Sequence, residues 1–214
     1  MQPYNRPAFW LLLSAGMISA VVAPSGRAAS PVNCQEFDLN GTASTPLQSV
    51  ILPPPARSCA PRMSNGFPLP DPSCTPGAVN PMLTVDVLRN PDFRTGCVRG
   101  HATTEDEKAA TYNWYGIPHP AHNSGATQTC ELDHLISLEL GGADTLDNIW
   151  PQCGPGGVTL SKRYFKMKDT VENYLAKQVK DGNMNLGDAQ QGIATDWTQY
   201  LTDAQRACPG GRCQ

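Results

Sequence analysis

The residues best suited to chemistry lie in one short segment, CELDHLISLELGGADTLDNIWPQ at positions 130–152. It places Asp133 beside His134, continues through a Gly-Gly pair at 141–142, and ends close after Asn148. Histidine has an unperturbed pKa of about 6.5, so it can take a proton from water near neutral pH. Carboxylate and amide oxygens are ligands for hard divalent metals. A general base beside such oxygens predicts metal-assisted cleavage of a phosphodiester bond.

Strand geometry sets a condition on Asp133 and His134. Neighbouring residues of a regular strand point to opposite faces of the sheet, so both can serve one site only where the strand ends or bulges. Without that distortion, Glu131 shares the face of Asp133 and becomes an accessory candidate for the metal. The sequence alone leaves both arrangements open.

The surrounding sequence predicts the elements that hold this segment. Strand character runs over 130–140, up to the glycine pair, and a return strand is expected at 148–150. A helix is predicted over 161–180, with Ser161 suited to cap its start and Gly182 its end. Strands followed by helices in this order indicate an α+β fold. The other predicted elements are helices over 105–115 and 186–207, and a strand or short helix at 82–88.

These segments resemble the HNH (His-Me finger) nuclease superfamily, in particular bacterial exported HNH-endonuclease-like proteins. The resemblance rests on DHLISLELGG at 133–142, NIWPQ at 148–152 and Lys168-Asp169 in the predicted helix. It extends over roughly residues 80–205 and does not include the cysteine-rich part before them. It implies a ββα-metal core, in which two strands and a helix surround a metal site, with additional helices outside it.

The resemblance also implies roles for individual residues. His134 would be the general base, and Asp133 and Asn148 would bind one divalent metal, Mg²⁺ or Mn²⁺, through oxygen. The enzyme so described is a metal-dependent endonuclease that hydrolyses nucleic acid, with DNA as the first candidate substrate and RNA as the second. The motif's third ligand position has no histidine or asparagine in this sequence. The candidates there are three charged residues of the predicted helix, Lys168, Asp169 and Glu172.

The predicted helix over 161–180 also carries a basic stripe. Five cations fall within an arc of about 100° of its circumference, over a length of about 27 Å and opposite the apolar residues. Such a stripe suits a phosphate backbone, and an ordinary solvated helix face explains it as well. Lys168 lies off the stripe and leans toward the hairpin. The stripe consists of Lys162, Arg163, Lys166, Lys177 and Lys180, and the residues expected to bind substrate are Lys162, Arg163, Lys166 and Lys168.

The start of the chain and its cysteines predict export. Residues 1–29 have the pattern of a cleaved signal peptide, with Arg6, an apolar run over 9–23 and then small residues. The apolar run is 15 residues long, short of the roughly 20 that a membrane span needs. We therefore expect a periplasmic or secreted protein, without stable membrane insertion once the signal peptide is removed. Eight cysteines without a C-x-x-C pair favour disulfides over a zinc or redox motif.

Composition divides the chain into four parts. The predicted signal peptide, 1–29, precedes a Pro- and Cys-rich extension over 30–80, which is either passive or a partner-binding module. The nuclease-like domain covers 81–207, and 208–214 is a cysteine-containing tail. Because three cysteines precede residue 80 and five follow it, full pairing requires at least one disulfide between the two sides.

Net charge argues against a broadly basic binding surface. It is −3 for the whole chain and −5 without residues 1–29, which hold two arginines and no acid. A local basic patch remains compatible with this charge. The alternative to an endonuclease is a non-catalytic nucleic-acid-binding or structural protein that keeps the ββα scaffold; the sequence identifies no immunity or envelope partner. His101, His119 and His122 have no matched partner spacing; His119 and His122 are expected in a loop, with metal binding as the alternative. Trp150 is expected to pack in the core beneath the site.

Overall fold

The protein combines short antiparallel strand pairs with helices, the α+β arrangement expected from its sequence. The computed structural model describes residues 34–37, 39, 43–100 and 103–213. The strands are β1 (Thr45–Pro46), β2 (Arg62–Ser64), β3 (Phe67–Leu69), β4 (Ala78–Val79), β5 (Cys130–His134) and β6 (Ile149–Cys153). The helices are α1 (Val85–Arg89), α2 (Glu105–Trp114), α3 (Tyr164–Asp181), α4 (Leu186–Asp196) and α5 (Leu201–Ala207). β1 pairs with β4, β2 with β3, and β5 with β6, each pair antiparallel.

The hairpin expected from the segment 130–152 is formed by β5 and β6. Its register runs from Cys130 opposite Cys153 to His134 opposite Ile149, and a disulfide joins the two cysteines at its open end. The strand predicted over 130–140 is too long, because pairing stops at His134 and the chain then turns through a 3₁₀ segment at Leu138–Leu140. Side-chain bonds within the loop, described below, replace strand pairing there.

The helix predicted over 161–180 is α3, which follows the hairpin. It ends as expected at Gly182, whose φ of 81° is a left-handed conformation that glycine adopts without strain. The expected cap at Ser161 is wrong: Arg163 is the N-cap and makes no side-chain cap bond, because Leu160–Lys162 form a separate 3₁₀ turn. The buried face of α3 consists of Phe165, Lys168, Val171, Leu175, Ala176 and Val179.

The single helix predicted over 186–207 is two helices, α4 and α5. Asp196 leaves the helical conformation, with a φ of −163°, and its side chain accepts a hydrogen bond from Thr198 N at 2.9 Å. Trp197 lies at this break and is fully buried in the core together with Ile193. The helix predicted at 105–115 is present as α2, and 82–88 contributes to the short helix α1.

The segment before residue 81 belongs to the same folded unit as the residues after it. The described residues on both sides of position 80 fall in one compact unit. Leu69 belongs to the same apolar core as Leu135 and Val171, and Gly77 N donates to Asp147 O at 2.9 Å. The part that composition describes as an extension therefore packs against the elements that carry the hairpin.

Four disulfides pair all eight cysteines, as Cys34–Cys97, Cys59–Cys74, Cys130–Cys153 and Cys208–Cys213. The first of them joins the two sides of residue 80, which confirms the expectation from the sequence, and the last closes the tail. Four disulfides are compatible with an exported protein. The predicted signal peptide lies outside the described residues. Among the residues that are described, no helix has the length and apolar character needed to cross a membrane.

Candidate functional site

Asp133 and His134 direct their side chains to two different groups of residues. The strand stays regular up to His134, so the alternation of faces is kept. The Asp133 carboxylate lies 2.9 Å from Lys168 Nζ on α3, whereas the His134 ring lies 2.7 Å from Asp144 in the loop. Both residues border one small cleft. Their polar atoms nevertheless have separate partners and do not converge on one ligand position.

His134 forms a dyad with Asp144, a residue that the sequence pattern did not single out. His134 Nε2 and Asp144 Oδ1 are 2.7 Å apart, and both side chains are buried. The carboxylate is also 3.0 Å from Lys108 Nζ on α2 and accepts a hydrogen bond from Gly100 N. The only feature of the sequence that could have pointed to Asp144 is its position two residues after the Gly-Gly pair.

The surroundings keep Asp144 ionised and His134 neutral near pH 7. Burial alone would raise the pKa of Asp144, but hydrogen bonds from His134, Gly100 and Lys108 hold that pKa well below its usual range. Burial lowers the pKa of His134; Arg99 and Lys108 act in the same direction and Asp144 opposes them. The ionised Asp144 accepts the Nε2 proton, so the lone pair of the neutral ring is on Nδ1. His134 can therefore accept a proton through Nδ1.

Asn148 fixes the loop between β5 and β6. Its Nδ2 donates to Ile136 O at 2.9 Å and to Ala143 O at 2.8 Å. Its Oδ1 accepts from Ile136 N at 2.9 Å and from Ala78 N at 3.3 Å. The side chain is completely buried, and backbone groups use both ends of its amide. Asn148 thus holds the loop that carries Asp144, and the metal-ligand role implied by the resemblance finds no free amide atom in this arrangement.

Two parts of the same loop approach each other so closely at Gly142 that no side chain fits there. A Cβ atom at this position would lie 1.8 Å from Ile136 O, and Gly142 N donates to Ser137 O at 2.9 Å. We expect Gly142→Ala to lower the free energy of unfolding by about 2–3 kcal/mol, because the loop backbone must move to admit the methyl group. Urea unfolding of the oxidised protein measures this difference.

Gly156→Ala is the matched control for Gly142→Ala. A Cβ atom at Gly156 meets nothing within 4 Å, and the residue does not adopt a left-handed φ. Its unfolding free energy should stay within about 0.5 kcal/mol of the wild-type value. Equal stability of the two variants would show that the loop does not need its close approach at Gly142.

Lys168 lies buried between the hairpin and α3, with 1% of its surface exposed. Its Nζ is 2.9 Å from Asp133 Oδ2 and 2.8 Å from His134 O, and it also bonds to Glu172 Oε1. The expectation that Lys168 leans toward the hairpin is confirmed. Its expected role in binding substrate stays a prediction; in the structure four protein oxygens from three residues surround its ammonium, which solvent does not reach.

Two buried carboxylates share the single positive charge of Lys168. Burial alone would lower the pKa of Lys168, but Asp133 and Glu172 raise it above its usual range. Burial raises the pKa of Asp133 to about 8 and also raises that of Glu172, while Lys168 opposes both shifts. One ammonium balances one carboxylate, so this pair holds a proton more readily than exposed carboxylates do.

A cleft beside His134 adjoins a larger groove, and Arg99 borders both. The cleft has a volume of about 60 Å³ and the groove about 410 Å³. Arg99 is exposed, and within the described part of the chain its guanidinium has no hydrogen-bond or ion-pair partner. Arg99 belongs to no motif, so sequence reasoning missed it. An exposed arginine beside a neutral histidine offers a place for an anionic group.

The basic stripe predicted on α3 is interrupted in the structure. Arg163 is buried and donates to Pro155 O, so its guanidinium does not face outward as expected. Lys177 pairs with Asp181 at 2.9 Å. Lys162 borders a cavity of about 680 Å³ near the tail, whose lining does not include His134. Of the residues expected to bind substrate, Arg163 and Lys168 are thus held by the protein itself.

Acidic neighbours also pair with Lys166. Its Nζ is 2.7 Å from Asp169 and 3.4 Å from Glu131, and the two carboxylates raise its pKa against the effect of burial. Glu131, Asp169 and Glu172 all border the cleft beside His134. The accessory candidates are therefore close to the site, but each has a lysine partner.

The other histidines are not part of the dyad, although His119 lines the larger groove beside the cleft. The ring of His119 packs edge-on against Tyr112, with 4.6 Å between ring centroids, and His122 is exposed. His101 lies outside the described residues. Trp150 packs beneath the site as expected, buried against Tyr115.

The donor atoms of the site do not fit the expected divalent metal. Asp133 Oδ1 and Oδ2 lie 3.1 Å and 2.9 Å from Lys168 Nζ, and the amide of Asn148 is used by the backbone. Over residues 34–213, as far as they are described, no three histidine, cysteine, aspartate or glutamate side chains are grouped to hold a metal ion. A lysine and backbone groups take the oxygens that Mg²⁺ or Mn²⁺ would need.

Comparisons of the chain with protein-family models, with curated proteins and with solved structures find no match. The resemblance to HNH nucleases therefore depends on the motif residues alone. The structure defines an α+β protein in which a strand, a loop, a second strand and a helix surround a buried Asp–His dyad.

Proposed function

We propose that the protein is an endonuclease of the HNH type, which hydrolyses phosphodiester bonds in nucleic acid with His134 as general base. DNA is the preferred substrate and RNA the second. The observation that carries the proposal is the His134–Asp144 dyad, 2.7 Å between its polar atoms, at a cleft that Arg99 also borders. The order of β5, loop, β6 and α3 supports it, since this is the order that the resemblance implies.

The chemistry follows from the protonation states of the dyad. A neutral His134 takes a proton through Nδ1 from the water that attacks phosphorus, and the ionised Asp144 stabilises the imidazolium that forms. A P–O bond to the attacking water oxygen forms as the P–O bond to the leaving sugar oxygen breaks. The net reaction adds one water molecule across the broken bond. Arg99 presents a planar guanidinium to phosphate oxygens, a geometry suited to two parallel hydrogen bonds.

Nicking of supercoiled plasmid by the oxidised protein tests the proposal. We expect conversion to open-circular and then linear DNA, with a rate that falls steeply as salt is raised, because attraction to phosphate is screened. A single-stranded RNA is assayed in parallel. Separate reactions with EDTA, with Mg²⁺ and with Mn²⁺ show whether an added metal contributes.

Arg99→Ala links the activity to the cleft. Loss of a charged phosphate contact should slow cleavage by about 10-fold or more, which corresponds to 1.4 kcal/mol or more of binding energy. Arg94→Ala is the matched control, since Arg94 lies on the same stretch and its Nη1 donates to Pro91 O and Phe93 O instead. Equal rates for both variants would remove Arg99 from the substrate site.

One observation favours the second function, a non-catalytic nucleic-acid-binding or structural protein. The oxygens expected to bind a metal are held by Lys168 and by backbone groups. A folded, oxidised protein that binds DNA or RNA but cleaves neither, with any of the metals, would establish this second function in place of the first.

A further inference from the structure

Lys168 has the surroundings of a bound cation. Its Nζ has oxygen neighbours from three residues: Asp133 at 2.9 Å, the backbone carbonyl of His134 at 2.8 Å, and the Glu172 carboxylate. Carboxylate and carbonyl oxygens are the ligands that hard metal ions prefer in proteins. An ammonium has three N–H groups, which gives one for each of these residues.

Two of these oxygen donors are the ones expected to bind a metal. Asp133 was the first expected ligand, and Glu172 on α3 was a candidate for the missing third ligand. Lys168 and Glu172 lie one helical turn apart, and Lys168 bridges Glu172 to the end of β5. A divalent metal and the Lys168 ammonium would therefore compete for the same two carboxylates.

We propose that the Lys168 ammonium is the resident cation of this site and takes the place of the divalent metal. Lys168 is then a positioning residue, because it is buried and holds the backbone carbonyl of His134. Its importance for cleavage rests on the proposed function. The claim that Lys168 occupies the cation site is independent of the proposed function. Removal of the lysine side chain should leave Asp133 and Glu172 as a latent metal site.

An ordinary structural ion pair makes a different prediction. A pair that only stabilises the fold loses stability when one partner is removed, and added metal does not restore it. Lys166→Ala provides the matched control, since Lys166 lies on the same helix and also pairs with two carboxylates, Glu131 and Asp169. Lys166 differs in being about one-third exposed, so water and salt already screen its partners.

Thermal unfolding and calorimetric titration with Mn²⁺ test the proposal without any substrate. The proteins compared are the wild type, Lys168→Ala, Lys166→Ala and Asp133→Asn. Replacing EDTA by Mn²⁺ should leave the melting temperature of the wild type and of Lys166→Ala unchanged. It should raise that of Lys168→Ala by about 5 °C or more once Mn²⁺ is in roughly 100-fold excess over its Kd.

Each outcome decides the proposal. Stoichiometric Mn²⁺ binding by the wild type that Asp133→Asn abolishes would overturn it, because the metal would then displace Lys168. A folded Lys168→Ala that gains no Mn²⁺ site would overturn it as well. If Lys168→Ala is unfolded in EDTA, recovery of the folded state on addition of Mn²⁺ supports the proposal, and failure of Mn²⁺ to restore the fold overturns it. Since no assay here involves cleavage, a protein without nuclease activity can still confirm the resident cation, and an active nuclease can still refute it.

Discussion

His134→Ala is expected to slow plasmid cleavage by about 10²–10⁴-fold, the range typical of a lost general base. The protein should remain folded, because Asp144 keeps its contact with Lys108 at 3.0 Å and its hydrogen bond from Gly100 N. The measurement is the initial rate of plasmid nicking by purified, oxidised protein. Circular dichroism at the same temperature shows whether the fold is retained.

His122→Ala is the matched control for this prediction. His122 is exposed and lies outside the cleft, so its removal should leave the rate within about twofold of wild type. If His134→Ala cleaved as fast as His122→Ala, the nuclease activity would have to arise from another site or from a contaminant.

The pH dependence separates the base from a structural histidine. The base must be neutral, and burial lowers the pKa of His134, so cleavage should stay maximal below pH ~6.5 before it falls. Asp144→Asn removes a charge that raises this pKa. The acidic limb of the profile should therefore move to still lower pH, while the maximal rate falls because the imidazolium loses its counter-ion. An unchanged profile would show that His134 does not titrate in the reaction.

Local patterns predicted the frame of the site well. The apolar spacing over 161–180 and the glycine at 182 are properties of neighbouring residues, and α3 has nearly these bounds. The Gly-Gly pair marked the loop because a tight turn favours residues without a Cβ atom in any fold. The position of Lys168 at the edge of the apolar arc was also visible from helical periodicity alone.

Partners from distant elements could not be predicted in the same way. Asp144 meets Lys108 of α2, which lies 36 residues earlier in the chain, and no local rule connects the two. The break at Asp196 is decided by its bond to Thr198 and by burial of Trp197. The resemblance implies that Asn148 is a metal ligand, whereas its four contacts with backbone groups depend on the folded loop.

Asn148→Ala is expected to lower the free energy of unfolding by about 4 kcal/mol, since four buried hydrogen bonds of roughly 1 kcal/mol each are lost. This is a large part of the total stability of roughly 5–15 kcal/mol that single domains have. The bond from Nδ2 to Ala143 O, 2.8 Å long, lies directly before Asp144. Loss of this bond should therefore also release the carboxylate that orients His134. Urea unfolding of the oxidised variant measures the first effect, and plasmid nicking at low temperature the second.

Asn173→Ala is the matched control, because Asn173 also donates to two backbone carbonyls, Asp169 O at 2.9 Å and Gly211 O at 3.2 Å. It is only partly buried, so water can replace those bonds and the loss should be about 1 kcal/mol or less. Both asparagines donate to backbone carbonyls, but only Asn148 is fully buried and holds the loop that carries Asp144. A difference in stability between the two variants therefore reports on burial and on that loop. An Asn148→Ala protein with wild-type stability but weakened Mn²⁺ binding would give Asn148 back the role of metal ligand. A protein that loses stability and does not change its response to Mn²⁺ places Asn148 in the scaffold that sets the distance between Asp144 and His134.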